Sequence, residues 1–285
     1  MVVALAFVGV LFALPKVIID KEKKDTFSAS ATANRDKAAG GEENHEGHGH
    51  AEGEGHEDAN AAHAAATPEQ ISALSVLRKK YQQEKNAETR VQLATELAAK
   101  YTEISKFDSA GYYYEQAAAV RPGEKIYQQA ADQYFEAFSF AANEERAKEL
   151  GAKARGLYDK VLQNNPTNLD AKTNLAMTYI AAGEAPMQGI NLLREVITTD
   201  PDNEKALFNL GILSIQSGQY DKAVERFRHL IEVNPKHVQG NFYLAVSLAE
   251  TGQKEEAKQV FNRARKLDAD PGFQASIDTE LAKLQ

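Results

Sequence analysis

The sequence predicts an all-α protein, an α-solenoid of about five helix-turn-helix repeats with a capping helix at each end. Apolar residues recur at helical intervals from residue 67 onward. Prolines recur with spacings of 44, 35, 34 and 36 residues, and glycines between them with spacings of 35 and 34 residues. A period near 34 with two helices per period indicates units that bury their apolar faces against each other. The recurring residues are Pro122, Pro166, Pro201, Pro235, Pro271, Gly183, Gly218 and Gly252.

Composition restricts the classes of function open to the chain. It has 285 residues, no Cys and a formal net charge of −8. Without Cys there is no disulfide, thiolate metal site or cysteine nucleophile. A nucleic-acid partner requires a concentrated basic face, whereas Lys and Arg here alternate with Asp and Glu at helical spacings. We therefore expect no nucleic-acid partner.

The chain begins with an apolar run from Val2 to Ile19, in which Lys16 is the only charged residue. As a helix this run would span roughly 27 Å, close to the hydrocarbon thickness of a bilayer. A cleavable signal peptide is the alternative, but the residues directly after the run lack a small-x-small cleavage site. We predict a transmembrane signal-anchor over residues 1–19.

A polar segment over residues 20–66 follows the anchor. Between Ile19 and Ile71 there is no Leu, Ile, Val or Met, and Phe27 is the only aromatic residue. Such a segment cannot bury enough apolar area to offset its ordering entropy, so it is predicted to be a disordered linker. A flexible tether of this length reaches roughly 35–40 Å.

Five of the seven histidines lie within residues 44–63 of this linker. Their spacing matches no zinc-finger pattern, and the segment offers no scaffold to hold metal ligands in a fixed geometry. We therefore interpret the tract as a spacer and expect no cofactor. The alternative is weak, exchangeable metal binding, which is possible for any His-rich tract. Its ligands would be His45, His48, His50 and His56.

The helical part begins at residue 67. Thr67 is suited to cap a helix, Pro68 to occupy its first position, and Gln70 to complete a capping box. One apolar stripe follows, formed by Ile71, Leu74, Leu77 and Tyr81. At the other end, "DPG" at 270–272 precedes a final amphipathic helix with Phe273, Ile277, Leu281 and Leu284. These two helices are predicted to cap the array.

The repeated units resemble the tetratricopeptide repeat. The unit from Glu204 has the large, small, aromatic and proline residues that this family favours, namely Leu207, Leu210, Gly211, Ala223, Phe227 and Pro235. The resemblance covers residues 67–285, with units at about 91–123, 124–168, 169–203, 204–237 and 238–271 and a capping helix at 272–285. The second unit has 11 residues more than the pattern allows between Tyr134 and Ala154. We expect both of its helices to be lengthened and the hairpin to protrude.

The resemblance implies a protein that binds other proteins in a concave face lined by the first helices of the units. No nucleophile triad, phosphate loop or metal-spaced His/Glu pair occurs in the helical part of the sequence, so no enzyme and no small-molecule substrate are expected. We expect an apolar row that the core does not need, with two asparagines holding a peptide backbone. The alternative is that the lengthened hairpin or the capping helix folds over this row and buries it. Mapping the family's groove positions onto three units selects Asn174, Met177, Ile180, Phe208, Asn209, Ile212, Ile215, Phe242 and Val246.

Together these features predict a membrane-tethered scaffold that binds a peptide or a partner protein. The layout is similar to that of accessory factors in envelope protein secretion or assembly. The predicted location is the inner membrane, with the repeats facing the periplasm and a cytoplasmic orientation left open. The alternative function is metal buffering or delivery by the His-rich linker, with the repeats docking a recipient.

Overall fold

The computed structural model describes residues 66–285, which form twelve α-helices and no β-strand. In chain order the helices are α1 (Pro68–Gln83), α2 (Ala87–Glu103), α3 (Phe107–Val120), α4 (Glu124–Ser139), α5 (Glu144–Asn164), α6 (Leu169–Ala181), α7 (Pro186–Thr199), α8 (Glu204–Gln216), α9 (Tyr220–Val233), α10 (Val238–Glu250), α11 (Lys254–Leu267) and α12 (Pro271–Ala282). Three predicted features lie outside the described residues: the anchor over 1–19, the linker apart from residue 66, and the four candidate metal ligands in that linker. Within the described range, no helix has the length and apolarity to cross a membrane.

The helices pack in chain order as five antiparallel hairpins. The hairpins are α2/α3, α4/α5, α6/α7, α8/α9 and α10/α11, and each second helix also contacts the first helix of the next hairpin. First helices touch one another as well, since α4 contacts α6 and α8 contacts α10. The first helices therefore share one inner face of the solenoid, and the predicted all-α repeat fold is confirmed.

Side chains of short polar residues cap half of the twelve helices in the described range. The predicted capping box is confirmed: Gln70 donates its backbone N–H to Thr67, and Thr67 donates its own backbone N–H to the Gln70 side chain. The side chains of Asn168 and Asn203 accept backbone N–H groups at the starts of α6 and α8. Each of these caps satisfies a donor that the helix itself cannot pair.

The turn inside each regular hairpin requires a left-handed backbone. Gly183, Gly218 and Gly252 occupy it with φ of 67°, 69° and 79°. Ser105 stands at the same repeat position in the first hairpin, with φ of 58°. The glycine period seen in the sequence thus has a conformational cause, because glycine enters this region without the steric cost of a Cβ.

Small residues let the two helices of a hairpin approach closely. A Cβ at Gly211 would lie 2.6 Å from the Phe227 ring, and one at Gly189 would lie 2.4 Å from the Ala176 carbonyl oxygen. The largest fully buried side chains include Tyr134, Tyr158, Phe227 and Phe261. The core is thus a row of aromatic rings set against alanine and glycine.

The second hairpin is lengthened, as predicted. Helix α4 has 16 residues and α5 has 21, whereas the first and second helices of the last three hairpins have 13 and 14 residues. Helix α2 of the first hairpin is also long, with 17 residues. The extension does not stand free of the stack, however. Phe140 stacks on Phe107 with ring centroids 6.1 Å apart, and Arg146 forms an ion pair with Asp108 at 2.9 Å. The tip of the hairpin therefore packs against the start of α3.

The two ends of the array are covered by single helices. At the N-terminal end, α1 buries Leu74, Leu77 and Tyr81, but Ile71 is 56% exposed, so the predicted apolar stripe is one residue too long. At the C-terminal end, α12 buries Ile277 completely. Both helices close off an apolar face that a terminal unit would otherwise expose to water.

Candidate functional site on the inner face

All nine predicted groove residues lie on the first helices α6, α8 and α10. None of the nine is exposed, and seven are half-buried. Ile212 and Phe242 retain only 8% and 4% of their accessible surface and belong to the hydrophobic core. The expectation that the whole apolar row is surplus to folding is therefore wrong for these two residues. Both side chains belong to the core cluster that α8 to α12 form together.

Aromatic contacts show how the C-terminal end of the row is covered. The Phe242 ring lies 5.7 Å from Phe261 and 5.6 Å from Phe273 of the capping helix α12. The Phe208 ring lies 6.0 Å from Phe227 and 5.9 Å from Tyr243. Phe208 thus presents one side to the inner face while its ring completes the core.

A half-buried apolar strip remains along the inner face. Phe208, Ile215 and Val246 pack at the border of the core cluster formed by α8 to α12. Met177 and Ile180 pack at the border of the neighbouring cluster, which α6 to α8 form. These five residues form the strip, which is accessible in part and apolar throughout.

The two predicted asparagines differ in their surroundings. The Asn174 Nδ2 donates to Asp132 Oδ1 at 3.2 Å and to the Tyr158 hydroxyl oxygen at 3.1 Å. Asn209, at the same repeat position 35 residues later, has no side-chain hydrogen bond within residues 66–285. Only Asn209 therefore has a free amide with which to hold a peptide backbone.

The network around Asp132 was not anticipated from the sequence. Asp132 Oδ1 accepts from the Tyr158 hydroxyl at 2.7 Å and from Gln128 Nε2 at 3.0 Å. Burial raises the pKa of the Asp132 carboxyl, and the hydrogen bonds from Tyr158, Gln128 and Asn174 oppose that rise. Aligning the repeats could have pointed to this residue, because Asp132 stands at the repeat position that Met177 occupies in the next unit.

One turn further along α4 lies a second carboxylate, Glu136, which is half-buried. It forms no hydrogen bond or ion pair with any residue in the described range. Burial raises the pKa of the Glu136 carboxyl, and the charge of Asp132 raises it further. The inner face of the second unit is thus acidic where that of the following units is apolar.

His237 caps a helix rather than binding a ligand. Its Nδ1 accepts the Gly240 backbone N–H at 3.0 Å at the start of α10. Its ring stacks on Phe208 with centroids 5.4 Å apart. Burial lowers the pKa of the His237 imidazole, against the opposing charge of Glu204. The sequence contained a signal for this role, since Asn168 and Asn203 precede it at the same repeat position.

Tyr243 carries a buried polar group without a partner. The side chain is 6% exposed, its hydroxyl has no hydrogen bond in the structure, and burial raises its pKa to about 12. It stands at the repeat position of Asn174 and Asn209. The C-terminal end of the inner face therefore has an aromatic ring where the preceding two units have an amide.

Other parts of the described chain show no comparable site. Residues 66–285 contain no group of three His, Cys, Asp or Glu side chains placed to hold a metal ion. An open depression of about 560 Å³ lies along α9, a second helix, and its lining includes Asp221, Glu225, Arg228 and His229. Its two basic side chains are paired, since Arg228 binds Glu256 at 2.7 Å and His229 contacts Asp202 at 2.8 Å, and its carboxylates form no ion pair within the described residues.

Sequence comparisons support the repeat assignment. The tetratricopeptide repeat family model matches residues 188–239 and 214–277. The uncharacterized protein y4yS of Sinorhizobium fredii is 32% identical over 111 residues, which are 39% of this chain and 60% of that protein. Superkiller protein 3 of Schizosaccharomyces pombe is 27% identical over 127 residues, 42% of this chain and 9% of that protein. The chain thus spans less than two thirds of the length of either relative.

Solved structures share the fold. A tetratricopeptide repeat protein from Parabacteroides merdae has 18% identity to this chain and a TM-score of 0.56. The match covers 74% of this chain and 78% of the Parabacteroides chain. The C-terminal part of a repeat protein from Cytophaga hutchinsonii has 18% identity to this chain and a TM-score of 0.51. The match covers 72% of this chain and 76% of the Cytophaga chain. Residues 188–277 of this chain therefore match the tetratricopeptide repeat model, and the described residues share the helical-repeat fold of these solved structures.

Proposed function

We propose that this protein is a membrane-tethered scaffold that binds a peptide or a partner protein along the inner face of its repeats. The apolar run at residues 2–19 supplies the tether, and residues 20–66 supply a flexible linker of roughly 35–40 Å reach. The repeats face the periplasm, where the scaffold assists envelope protein secretion or assembly. The role is one of binding, not catalysis.

One observation carries the binding proposal. The half-buried strip formed by Met177, Ile180, Phe208, Ile215 and Val246 runs across three consecutive units, and the unpaired Asn209 amide lies within it. A continuous apolar surface with a few polar groups is typical of a protein-binding groove. The inner face of stacked repeats presents such a surface without distorting the helices beneath it.

The test must avoid core residues. Substituting Phe208 and Ile212 of the predicted groove by glutamate would not isolate binding, because it would place charges in the core. Ile212 is buried, and Phe208 packs on Phe227. Met177→Gln combined with Asn209→Ala removes contacts of the strip while leaving the core intact. Met187→Gln is the matched control, because Met187 is 58% exposed and lies on α7, a second helix.

The expected result is loss of the proteins that co-purify with the full chain from native membranes. Met177→Gln with Asn209→Ala should abolish that capture, while the thermal midpoint stays near wild type and Met187→Gln behaves as wild type. Equal capture of partner proteins by the wild type, the double variant and the control variant would contradict an inner-face site. Equal loss in the control variant would place the binding surface elsewhere.

The tether and the orientation need a separate test. Limited proteolysis of membranes should release the repeats as an intact fragment by cutting within residues 20–66. Extraction of the uncut chain by alkaline carbonate would contradict the anchor. Protection of the repeats from protease in spheroplasts would place them in the cytoplasm.

A further inference from the structure

Two carboxylates on the inner face lack a cationic partner. Asp132 and Glu136 lie one turn apart on α4 and are both half-buried. Asp132 accepts hydrogen bonds from neutral donors, those of Gln128, Tyr158 and Asn174. Glu136 has neither a hydrogen bond nor an ion pair within residues 66–285. Lys205 attracts Asp132 only at longer range and is itself paired with Asp170 at 2.6 Å.

Glu136 stands where the fold disfavours a negative charge for three independent reasons. It is partly removed from water, which opposes ionisation. It follows Asp132 at the i+4 position, where like charges repel across the helix surface. It also lies in the last turn of α4, where the helix dipole favours cations over anions. The first and last units also have Glu at this repeat position, Glu103 and Glu250, but only the second unit adds an acid one turn earlier.

The acidic pair adjoins the apolar strip. Asn174 of α6 reaches Asp132 of α4 at 3.2 Å, and Met177 follows Asn174 by three residues on α6. The inner face therefore changes from acidic to apolar within one step between neighbouring first helices. Residues that depart from local preference without a structural gain are expected at functional positions.

We propose that the inner face takes a partner segment in which a Lys or Arg side chain lies against Asp132 and Glu136 and aliphatic or aromatic side chains lie along the apolar strip. This inference rests on the proposed function and specifies the chemistry of the partner. Packed helices lie about 8–10 Å apart, and an extended segment advances about 3.3 Å per residue. The basic residue therefore stands about three residues from the first apolar one.

A selection with random peptides of fifteen residues, displayed on phage, tests this chemistry on the full chain held in detergent. Wild-type protein should enrich peptides with Lys or Arg about three positions from Leu, Ile or Phe. An enriched peptide, made synthetically, should bind the Asp132→Asn, Glu136→Gln variant about tenfold more weakly by fluorescence anisotropy, because a charge-assisted contact is lost. Glu250→Gln, at the repeat position of Glu136 in the last unit, is the matched control and should bind within twofold of wild type.

The outcomes separate this inference from the proposed function. Enriched peptides without basic residues, or equal binding by the doubly substituted protein, would overturn the basic-partner inference and leave the scaffold standing. Absence of any enriched peptide would overturn both. If the double variant melts far below wild type, the single variant Glu136→Gln is used instead, because the Glu136 side chain has no hydrogen bond within residues 66–285. Unchanged peptide binding by this single variant would again overturn the inference.

Discussion

Tyr158 and Phe227 occupy the same repeat position in the second and fourth units, and both are completely buried. They differ by one hydroxyl group. The Tyr158 hydroxyl bonds to Asp132 and Asn174, and the inner face beside it is polar and acidic. Phe227 lies between the rings of Phe208 and Tyr243, and the inner face beside it is apolar.

The comparison shows that one backbone arrangement supports two kinds of inner face. The apolar region is held by ring packing, which tolerates some variation in shape but loses stability when a ring is removed. The polar region is held by hydrogen bonds, for which each partner must be present because an unpaired buried group is costly. The two regions should therefore respond differently to matched substitutions.

Phe227→Ala should have the largest effect on the free energy of unfolding. Removing a fully buried ring leaves a cavity beside Gly211 and costs about 3–5 kcal/mol. Denaturant unfolding monitored by circular dichroism measures this loss. A change below about 1 kcal/mol would mean that the aromatic cluster does not hold the fourth unit together.

A reciprocal exchange should cost about 1–3 kcal/mol in each direction. Tyr158→Phe deprives Asp132 and Asn174 of a hydrogen-bonding partner, while Phe227→Tyr adds a hydroxyl at the ring carbon that faces Gly211, where the close helix contact leaves little room. Both substitutions conserve the ring, so the same unfolding measurement isolates the hydroxyl. A neutral Tyr158→Phe would show that the network contributes nothing to stability.

His237→Asn should cost little at pH 7 and remove part of the acid sensitivity of the fold. Burial lowers the pKa of His237, so its contribution is present above the ordinary imidazole value of 6.5 and is lost as pH falls through the lower folded-state value. Protonation converts the Nδ1 acceptor into a donor, and the lost cap costs about 1 kcal/mol. Thermal midpoints of both proteins between pH 7 and pH 4 measure the effect; parallel curves would contradict it.

Glu136→Gln should give the smallest change, a stabilisation of up to about 1 kcal/mol at pH 7, from relief of like-charge repulsion and of the helix dipole. Because burial raises its pKa, the wild-type carboxyl favours folding most below the ordinary glutamate value of 4.5 and loses that contribution as pH rises through the folded-state value. The advantage of the variant should therefore shrink as pH falls through the folded-state value and be lost below 4.5. A variant that is less stable at pH 7 would reveal an unseen partner of Glu136.

The sequence by itself determined the repeat, its period and the two caps. Glycine at the φ-positive turns, asparagine at the helix starts and aromatic rings opposite small residues are local requirements, and each leaves its mark at a fixed spacing. The lengthened second hairpin was readable for the same reason, since 11 additional residues without loop composition extend helices. The nine groove residues were correctly assigned to first helices because helical periodicity decides which helix carries them.

Tertiary structure alone decided which of those side chains remain accessible and which groups meet. Ile212 and Phe242 are buried in the core cluster formed by α8 to α12, and Phe242 packs on Phe273 of the capping helix, which no pattern within one unit predicts. Asn174 and Asn209 have the same residue type and repeat position, yet only Asn174 meets a tyrosine and an aspartate from the preceding unit. The physical reason is that period and propensity act along the chain, whereas accessibility and hydrogen bonding depend on what the next unit places within a few ångströms.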